Sequence, residues 1–372
     1  MNPAYAIQNI DEVFSPALVF YKDLIRSNIA EVVRLAGSAK RLCPHVKTHK
    51  CREIIRMQMD AGILSHKCAT VAEAEMLAQC EVPDILIAYP IVGPNVGRVR
   101  ALVGKYPKSK FSVLCDHPDG AKGLSAGWAG MSSKLDVLMD VNVGHDRTGI
   151  KPGSEAAALY EQIAQSPGLN VAGFHVYDGH NHQESLADRE AAVKEVIGSV
   201  LELRKTVEAK GLAVPRMVCG GTPTFPVWAK MEFPGLQCSP GTFVLYDSGY
   251  RAKYPELSGF KPAALVVSRV ISKPTPTRVT TDLGHKAIAA DPPAGKRAVL
   301  LNVKEYSTIL QNEEHFGFDT PQAGEIKIAD VIYAMPAHVC PTVALHRRAY
   351  VVENNRVVGS WEIASRDRMI TV

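Results

Sequence analysis

A TIM (β/α)8 barrel followed by an all-β domain is the fold class this 372-residue sequence predicts, and three observations predict it. From residue 17 to about 245, apolar β-branched runs alternate with longer amphipathic segments, the pattern of parallel strands joined by helices. Glycine-rich polar clusters follow several of those runs, where a barrel keeps its chemistry. After Tyr250 the texture changes to short β-branched runs separated by Pro, Gly, Asn and Asp, which marks a second domain. The barrel is expected over 17–247 and the β domain over 1–16 and 248–372, with a junction in 248–262. A doubly wound sheet is the alternative, since strand order is invisible in one sequence.

Ala17 to Tyr21 reads as a lead-in strand. Lys22 to Ala39 carries Leu24, Ile25, Ile29, Val32, Val33 and Ala36 at helical spacing and delivers the chain to a first barrel strand, Arg41 to Val46. Seven more strands are expected at Ile63 to Ala69, Asp84 to Tyr89, Lys110 to Cys115, Lys134 to Asn142, Leu169 to Tyr177, Arg216 to Cys219 and Leu236 to Cys238. Helices are expected at Glu53 to Ala61, Val71 to Cys80, Asn95 to Tyr106, Glu155 to Gln165 and Ser185 to Lys210, with Gly62 and Gly211 closing the first and last. The β domain reads as strands at Ala263 to Ile271, Arg278 to Thr281, Ala298 to Asn302, Val331 to Ala334, Tyr350 to Glu353 and Val357 to Ile363. Glu353-Asn354-Asn355-Arg356 is a hairpin-turn signal between the last two.

Composition narrows the function classes. Apolar residues are 46% and charged residues 22%, the balance of a globular chain with a sizeable core. The N-terminal stretch lacks a basic segment followed by an apolar one, and no window is apolar enough to span a bilayer, so a cytoplasmic protein is expected. Eight cysteines without a C-x-x-C pair argue for reduced thiols, most of them buried as small apolar side chains. A net charge of +4 with no long basic run leaves no footprint for nucleic acid or membrane surfaces, which makes a small molecule the expected partner.

Pro44-His45-Val46-Lys47-Thr48-His49-Lys50 places Lys47 just past the end of the first strand. A lysine desolvated there can act as an amine nucleophile and form a Schiff base with a carbonyl cofactor such as pyridoxal phosphate. The fifth strand is followed by Gly144-His145-Asp146-Arg147-Thr148-Gly149 and the sixth by Tyr177-Asp178-Gly179-His180-Asn181-His182. Gly220-Gly221-Thr222-Pro223-Thr224 follows the seventh, and Ser239-Pro240-Gly241 the eighth. The Gly-Gly-Thr turn lets backbone amides approach a phosphate at the position where barrels commonly bind one. In the β domain, His338 and Cys340 offer an imidazole and a thiolate two residues apart, on the same side of an extended segment, a pair suited to zinc.

These residues make the chain resemble the D-threonine aldolase and D-serine dehydratase family of alanine-racemase-like, fold type III pyridoxal phosphate enzymes. The likeness runs nearly end to end. It rests on PHVKTHK, the G-x-x-R-x-G of 144–149, Y-D-G-H-N-H, G-G-T-P-T, S-P-G-T-F-V-L-Y-D, D-L-G-H-K at 282–286, N-E-E-H at 312–315, and H-V-C-P-T followed by W-E-I-A-S-R. The resemblance implies a barrel like the alanine racemase N-terminal domain, a homodimer, Lys47 as the Schiff-base lysine, and His338 with Cys340 holding a divalent metal, zinc or manganese. Lys47, Arg147, Tyr177, Gly220, Gly221, Thr222 and Gly241 are the expected cofactor contacts.

Such a site suits a D-β-hydroxy-α-amino acid. The family's aldolases cleave its Cα–Cβ bond to glycine and an aldehyde; its dehydratases, acting on D-serine or D-3-hydroxyaspartate, release a 2-oxo acid and ammonia. His-x-Cys at the metal resembles the dehydratases, whereas the Tyr177-x-Gly block and the W-E-I-A-S-R tail look more like the aldolases. The aldolase is the main expectation, with His182 as the base for the β-hydroxyl and His180 as its substitute. A racemase would need an acid/base tyrosine from the β domain, for which Tyr306 lacks the surrounding motif. A non-catalytic carrier of the cofactor would normally lack the β domain altogether.

Overall fold

The computed structural model describes residues 2–372. Two compact units form: one of Val32–Lys47, Ile55–Gly241 and Asp367–Val372, the other of Met1–Glu31, Thr48–Ile54 and Thr242–Arg366.

In the first unit, seven parallel strands lie in sequence order: Ser65–Cys68, Asp84–Pro90, Lys110–Cys115, Leu135–Asp140, Leu169–Val176, Met217–Cys219 and Leu236–Cys238. Each pairs parallel with the next, with register shifts after Ile87 and after Val137, as expected for strands joined by helical crossovers. The expected strand at Arg41 to Val46 is the exception. It makes only two isolated bridges, Leu42 to Cys238 and His45 to Lys67, between short 3-10 turns at Ala39–Arg41 and Val46–Thr48. Pro44 has no N–H to give, which breaks the ladder. The segment still closes the barrel, because Cys43 and His45 donate to the carbonyls of Cys238 and Pro240 at 2.9 and 3.0 Å and the Pro44 carbonyl accepts from Lys67 at 2.9 Å.

Alternation along these strands fills the barrel interior with Cys43, Leu86, Leu114, Leu138, Ala172 and Val218. The helices follow the amphipathic segments, from Val71–Gln79, capped by the Thr70 hydroxyl, to Leu186–Glu208, capped by Ser185. Two helices of this unit escaped the sequence pattern: Phe225–Ala229, only five residues long, and Pro118–Gly127, whose glycines at 120, 123 and 127 dilute the apolar period. The chain's last residues return to this unit, where Thr371 N–H donates to the Glu75 carboxylate at 2.8 Å.

The second unit is a nine-stranded mixed sheet. Ala17–Tyr21 lies inside it, antiparallel to Ala264–Ser272 and parallel to Arg348–Glu353. All five of its residues are buried, which suits a central strand covered on both faces. The hairpin joining Arg348–Glu353 to Arg356–Glu362 turns through Asn354 and Asn355 at φ +50° and +60°, left-handed at both central positions. Two strands that the sequence reading missed, Ser307–Gln311 and Phe316–Asp319, flank the N-E-E-H motif, which is their connecting turn. Ser307–Gln311 has no fully buried residue and so carries little apolar signal. Seven of the eight cysteines are buried and Cys340 is half-buried; all are free thiols. Among the described residues, no helix is long and apolar enough to cross a membrane.

Candidate active site

At the carboxyl end of the barrel, Tyr177 is the hub around which the expected residues gather. It follows the strand Leu169–Val176 directly. The Lys47 ammonium lies 5.9 Å from its ring centroid, the Arg147 guanidinium 5.1 Å and the Lys67 ammonium 5.5 Å. Three cations around one ring make an electropositive mouth suited to an anionic ligand. Two glycines seat the tyrosine. A Cβ on Gly179 would stand 2.3 Å from the Tyr177 hydroxyl, and one on Gly221 would stand 3.3 Å from its ring.

The Gly-Gly-Thr turn lies beside this ring and is held from behind. The Gly220 N–H is spent on the Val176 carbonyl at 2.9 Å, so Gly220 contributes shape rather than the expected phosphate donor. Its φ of +79° and the Trp228 ring, 2.5 Å from where a Cβ would stand, require glycine there. Gly221 donates to the Thr224 hydroxyl at 3.2 Å, and Gly241 donates to the Thr222 hydroxyl at 3.1 Å, which ties the loops after the last two strands together. Behind them the buried Asp178 carboxylate accepts from Thr224 Oγ1 and Trp228 Nε1, both at 2.8 Å. Burial pushes its pKa up against those two bonds.

The two candidate base histidines occupy different ground. His180 is half-buried, packs on Gly144 and faces His145 at 6.0 Å between centroids, while His145 faces Tyr177 at 5.6 Å. Burial, then the neighbouring His145 and His182, lower the proton affinity of His180. His182 is exposed two residues farther along the loop.

Three residues that sequence reasoning missed, Lys67, Asp140 and His175, join Ser239 in a buried polar layer beneath the mouth. Asp140 and His175 Nδ1 pair at 2.7 Å, His175 Nε2 meets the Lys67 ammonium at 3.3 Å, and Lys67 donates to Ser239 Oγ at 2.7 Å. Thr148 Oγ1 donates to the other Asp140 oxygen at 2.8 Å, anchoring the Arg147 loop to the same layer. Burial would push Asp140 up, but His175 beside it and the bond from Thr148 hold it below the usual carboxylate range. Burial lowers His175 and brings Lys67 down to about 8. The available signal was a lysine and a histidine inside apolar strand runs, where buried charge is rare without a partner. A cleft of about 710 Å³ in this unit lies elsewhere, between the helices Pro94–Lys105 and Pro118–Gly127, and is mostly apolar.

In the sheet unit, His338 and Cys340 sit at the start of a helix, correcting the expected extended segment. His338 is the N-cap of Val339–Leu345. The turn forms because Asp247 accepts from the Val339 N–H at 3.1 Å and Thr342 Oγ1 donates to the His338 carbonyl at 2.8 Å. Cys340 Sγ lies 3.3 Å from Thr48 Oγ1. Hydrogen bonding to Cys340, opposed by burial and assisted by Asp291, pushes His338 up to about 9. Asp291 holds the imidazole at Nδ1, which leaves Nε2 as the nitrogen for a metal, the usual carboxylate–histidine arrangement. Among the described residues, no group of three His, Cys, Asp or Glu side chains converges as a complete metal cage. Nitrogen and thiolate donors with positions left over fit a catalytic zinc better than a closed structural site.

Two of the remaining motifs lie side by side. D-L-G-H-K and N-E-E-H pair through backbone bonds from His285 to Asn312 and from Lys286 to Glu313, at 2.9 and 3.0 Å. Tyr306 accepts from the Leu300 N–H and donates to the Ala298 carbonyl inside the sheet core.

Comparison with known proteins agrees with this geometry. Residues 22–246 match the family described as alanine racemase, N-terminal domain, and 263–352 match the putative serine dehydratase domain. The chain belongs to the alanine racemase N-terminal domain family. Within it, the chain is 29% identical to a D-threonine aldolase of Arthrobacter sp, over 98% of this chain and 96% of the relative. It is 24% identical to the 3-hydroxy-D-aspartate aldolase of Paracoccus denitrificans, over 98% and 95%. The crystal structure of D-threonine aldolase from Filomicrobium marinum superposes with a TM-score of 0.89 at 25% identity, covering 97% of this chain and 98% of that one. The family resemblance and the barrel-plus-sheet architecture read from the sequence are borne out.

Proposed function

We propose that this protein is a pyridoxal phosphate- and divalent-metal-dependent lyase that cleaves D-threonine-like β-hydroxy-α-amino acids to glycine and an aldehyde. The observation that carries the reading is the convergence of Lys47, Arg147 and the glycine-bordered Tyr177 beside the Gly-Gly-Thr turn, in a chain matched over its whole length by aldolases of such substrates. When bound, the cofactor supplies an electron sink and the metal a Lewis acid.

This chain's residues supply the rest. Lys47 tethers the cofactor through its amine, the turn of Gly221 and Thr222, tied to Gly241 by the bond from the Gly241 N–H to the Thr222 hydroxyl, shapes the phosphate cradle, where a Cβ at 221 would crowd Tyr177, and Arg147 adds positive charge at the mouth. His338 and Cys340 hold the metal, the thiolate favouring zinc over manganese. His182 takes the proton from the substrate's β-hydroxyl oxygen, with His180 as the competitor that the loop geometry offers. We further take the enzyme to act as a homodimer in the cytoplasm, where its eight thiols stay reduced.

A dehydratase acting on D-serine or D-3-hydroxyaspartate is the second reading, favoured by Cys340 and by the serine dehydratase match of 263–352. Product analysis with D-threonine separates the two. Glycine with acetaldehyde is the expected result; 2-oxobutanoate and ammonia as the only products would overturn it.

A further inference from the structure

We infer that Lys67 is the positioning residue for the phosphate loop, acting through Ser239 on the Gly220 carbonyl. The inference rests on the cofactor reading above and extends it to a second lysine that the reaction itself does not use.

Lys67, the third of the four residues of the strand Ser65–Cys68, points into the barrel and is 1% exposed. A lysine is almost never buried so completely without partners, and this one has three. Its ammonium donates to Ser239 Oγ at 2.7 Å, approaches His175 Nε2 at 3.3 Å and faces the Tyr177 ring at 5.5 Å. The His175 contact is directional. With Asp140 holding Nδ1 at 2.7 Å, the imidazole presents Nε2 as an acceptor toward the lysine.

Ser239 then passes the constraint on. Its oxygen accepts from Lys67, and its single proton goes to the Gly220 carbonyl at 2.8 Å, with the Cys219 carbonyl farther away at 3.2 Å. The Gly220 carbonyl is thereby fixed toward the barrel interior. Because C=O and N–H of one peptide plane point opposite ways, the Gly221 N–H is fixed away from it, where it donates to the Thr224 hydroxyl at 3.2 Å and sets the shape of the turn. A cation thus stands one hydrogen-bonded hydroxyl behind the turn that receives a phosphate. In a buried site its field is weakly screened, so it favours a dianion at that turn as well as a particular backbone orientation.

The test uses the full chain freed of cofactor and titrated with pyridoxal phosphate and, separately, with pyridoxal, which lacks the phosphate. Binding is followed by cofactor absorbance and by the fluorescence of Trp228, whose ring borders Gly220. Lys67→Met is expected to weaken pyridoxal phosphate binding by about 10- to 100-fold, the range for losing a hydrogen bond to a charged group, while pyridoxal binding stays within about twofold. Wild-type affinity for pyridoxal phosphate should also decline as pH rises through about 8, where Lys67 loses its proton, and the variant should lack that decline. Lys47, Cys43, Asp140, His175, Asp178 and Cys219 face Lys67 and are present in both proteins, so the difference between the two profiles isolates Lys67.

Ser239→Ala removes the link and keeps the charge, and it decides the matter if Lys67→Met fails to fold. It should reproduce a loss specific to the phosphorylated ligand. Wild-type affinity and an unchanged pH profile in these variants would overturn the role of Lys67. A wild-type protein that binds pyridoxal as tightly as its phosphate would overturn the phosphate-loop reading beneath it.

Discussion

The barrel mouth and the His338 corner each gather polar side chains, by different means. In the barrel, each strand end delivers one or two residues to the same rim, so position along the chain nearly determines position in the site. At the corner, both donors come from one helix start, and the groups that orient them come from afar. Asp247 is 92 residues from the Val339 N–H it accepts, and Asp291 is 47 residues from His338. The difference teaches that topology builds the first region, whereas individual hydrogen bonds build the second. The first should tolerate loss of a single bond better than the second.

The largest effect should come from the barrel. Lys47→Ala is expected to abolish both turnover and the visible absorbance of the cofactor, and borohydride should fix the cofactor on Lys47 in the wild type. Recovery of the label on Lys67, the fully buried amine nearby, would move the tether to a different strand.

The metal comes next and tests whether the two regions act separately. Thorough chelation is expected to remove activity while leaving the cofactor's absorbance intact, with zinc restoring turnover. Asp291→Asn should weaken zinc affinity by about 10- to 100-fold, as loss of an orienting carboxylate does elsewhere, measured by competition with a chromophoric chelator. Undiminished activity in metal-free protein would falsify the assignment of His338 and Cys340.

A smaller loss is expected on the loop after the sixth barrel strand. His182→Ala should lower kcat for retro-aldol cleavage by about 10²- to 10⁴-fold, the usual worth of a general base, and His180→Ala by less. The reverse order would transfer the proton to the half-buried His180, which packs on Gly144.

The last effect is on stability, not on turnover. Lys67 keeps its proton in the folded barrel only below about 8, against 10.5 in an unfolded chain. Between those values the unfolded chain binds more protons, so this group makes stability rise with pH. Chemical denaturation of cofactor-free protein should show wild-type stability gaining roughly 3 kcal/mol relative to Lys67→Met between pH 8 and 10.5. A constant difference would mean that the lysine is not desolvated. Cofactor affinity should fall over the range in which the fold gains, a pairing of opposite signs that a merely packed lysine does not produce.

By itself the sequence determined most of the alternation of strands and helices, the second sheet, and the polar clusters that follow the strands, because strand and helix periods and turn residues are local properties of the chain. It also placed Lys47, Tyr177, the Gly-Gly-Thr turn and the His338–Cys340 pair in order along the chain. Tertiary structure decided which of them meet. Closure of the barrel at Pro44, where a strand was expected, happens through bonds to Cys238, Pro240 and Lys67 that no local pattern encodes. The same closure brings His175 and Ser239 to Lys67 from 108 and 172 residues away. A buried polar group needs a partner but does not specify where in the chain that partner lies, so the residues beneath the mouth stayed hidden until the strands were in place.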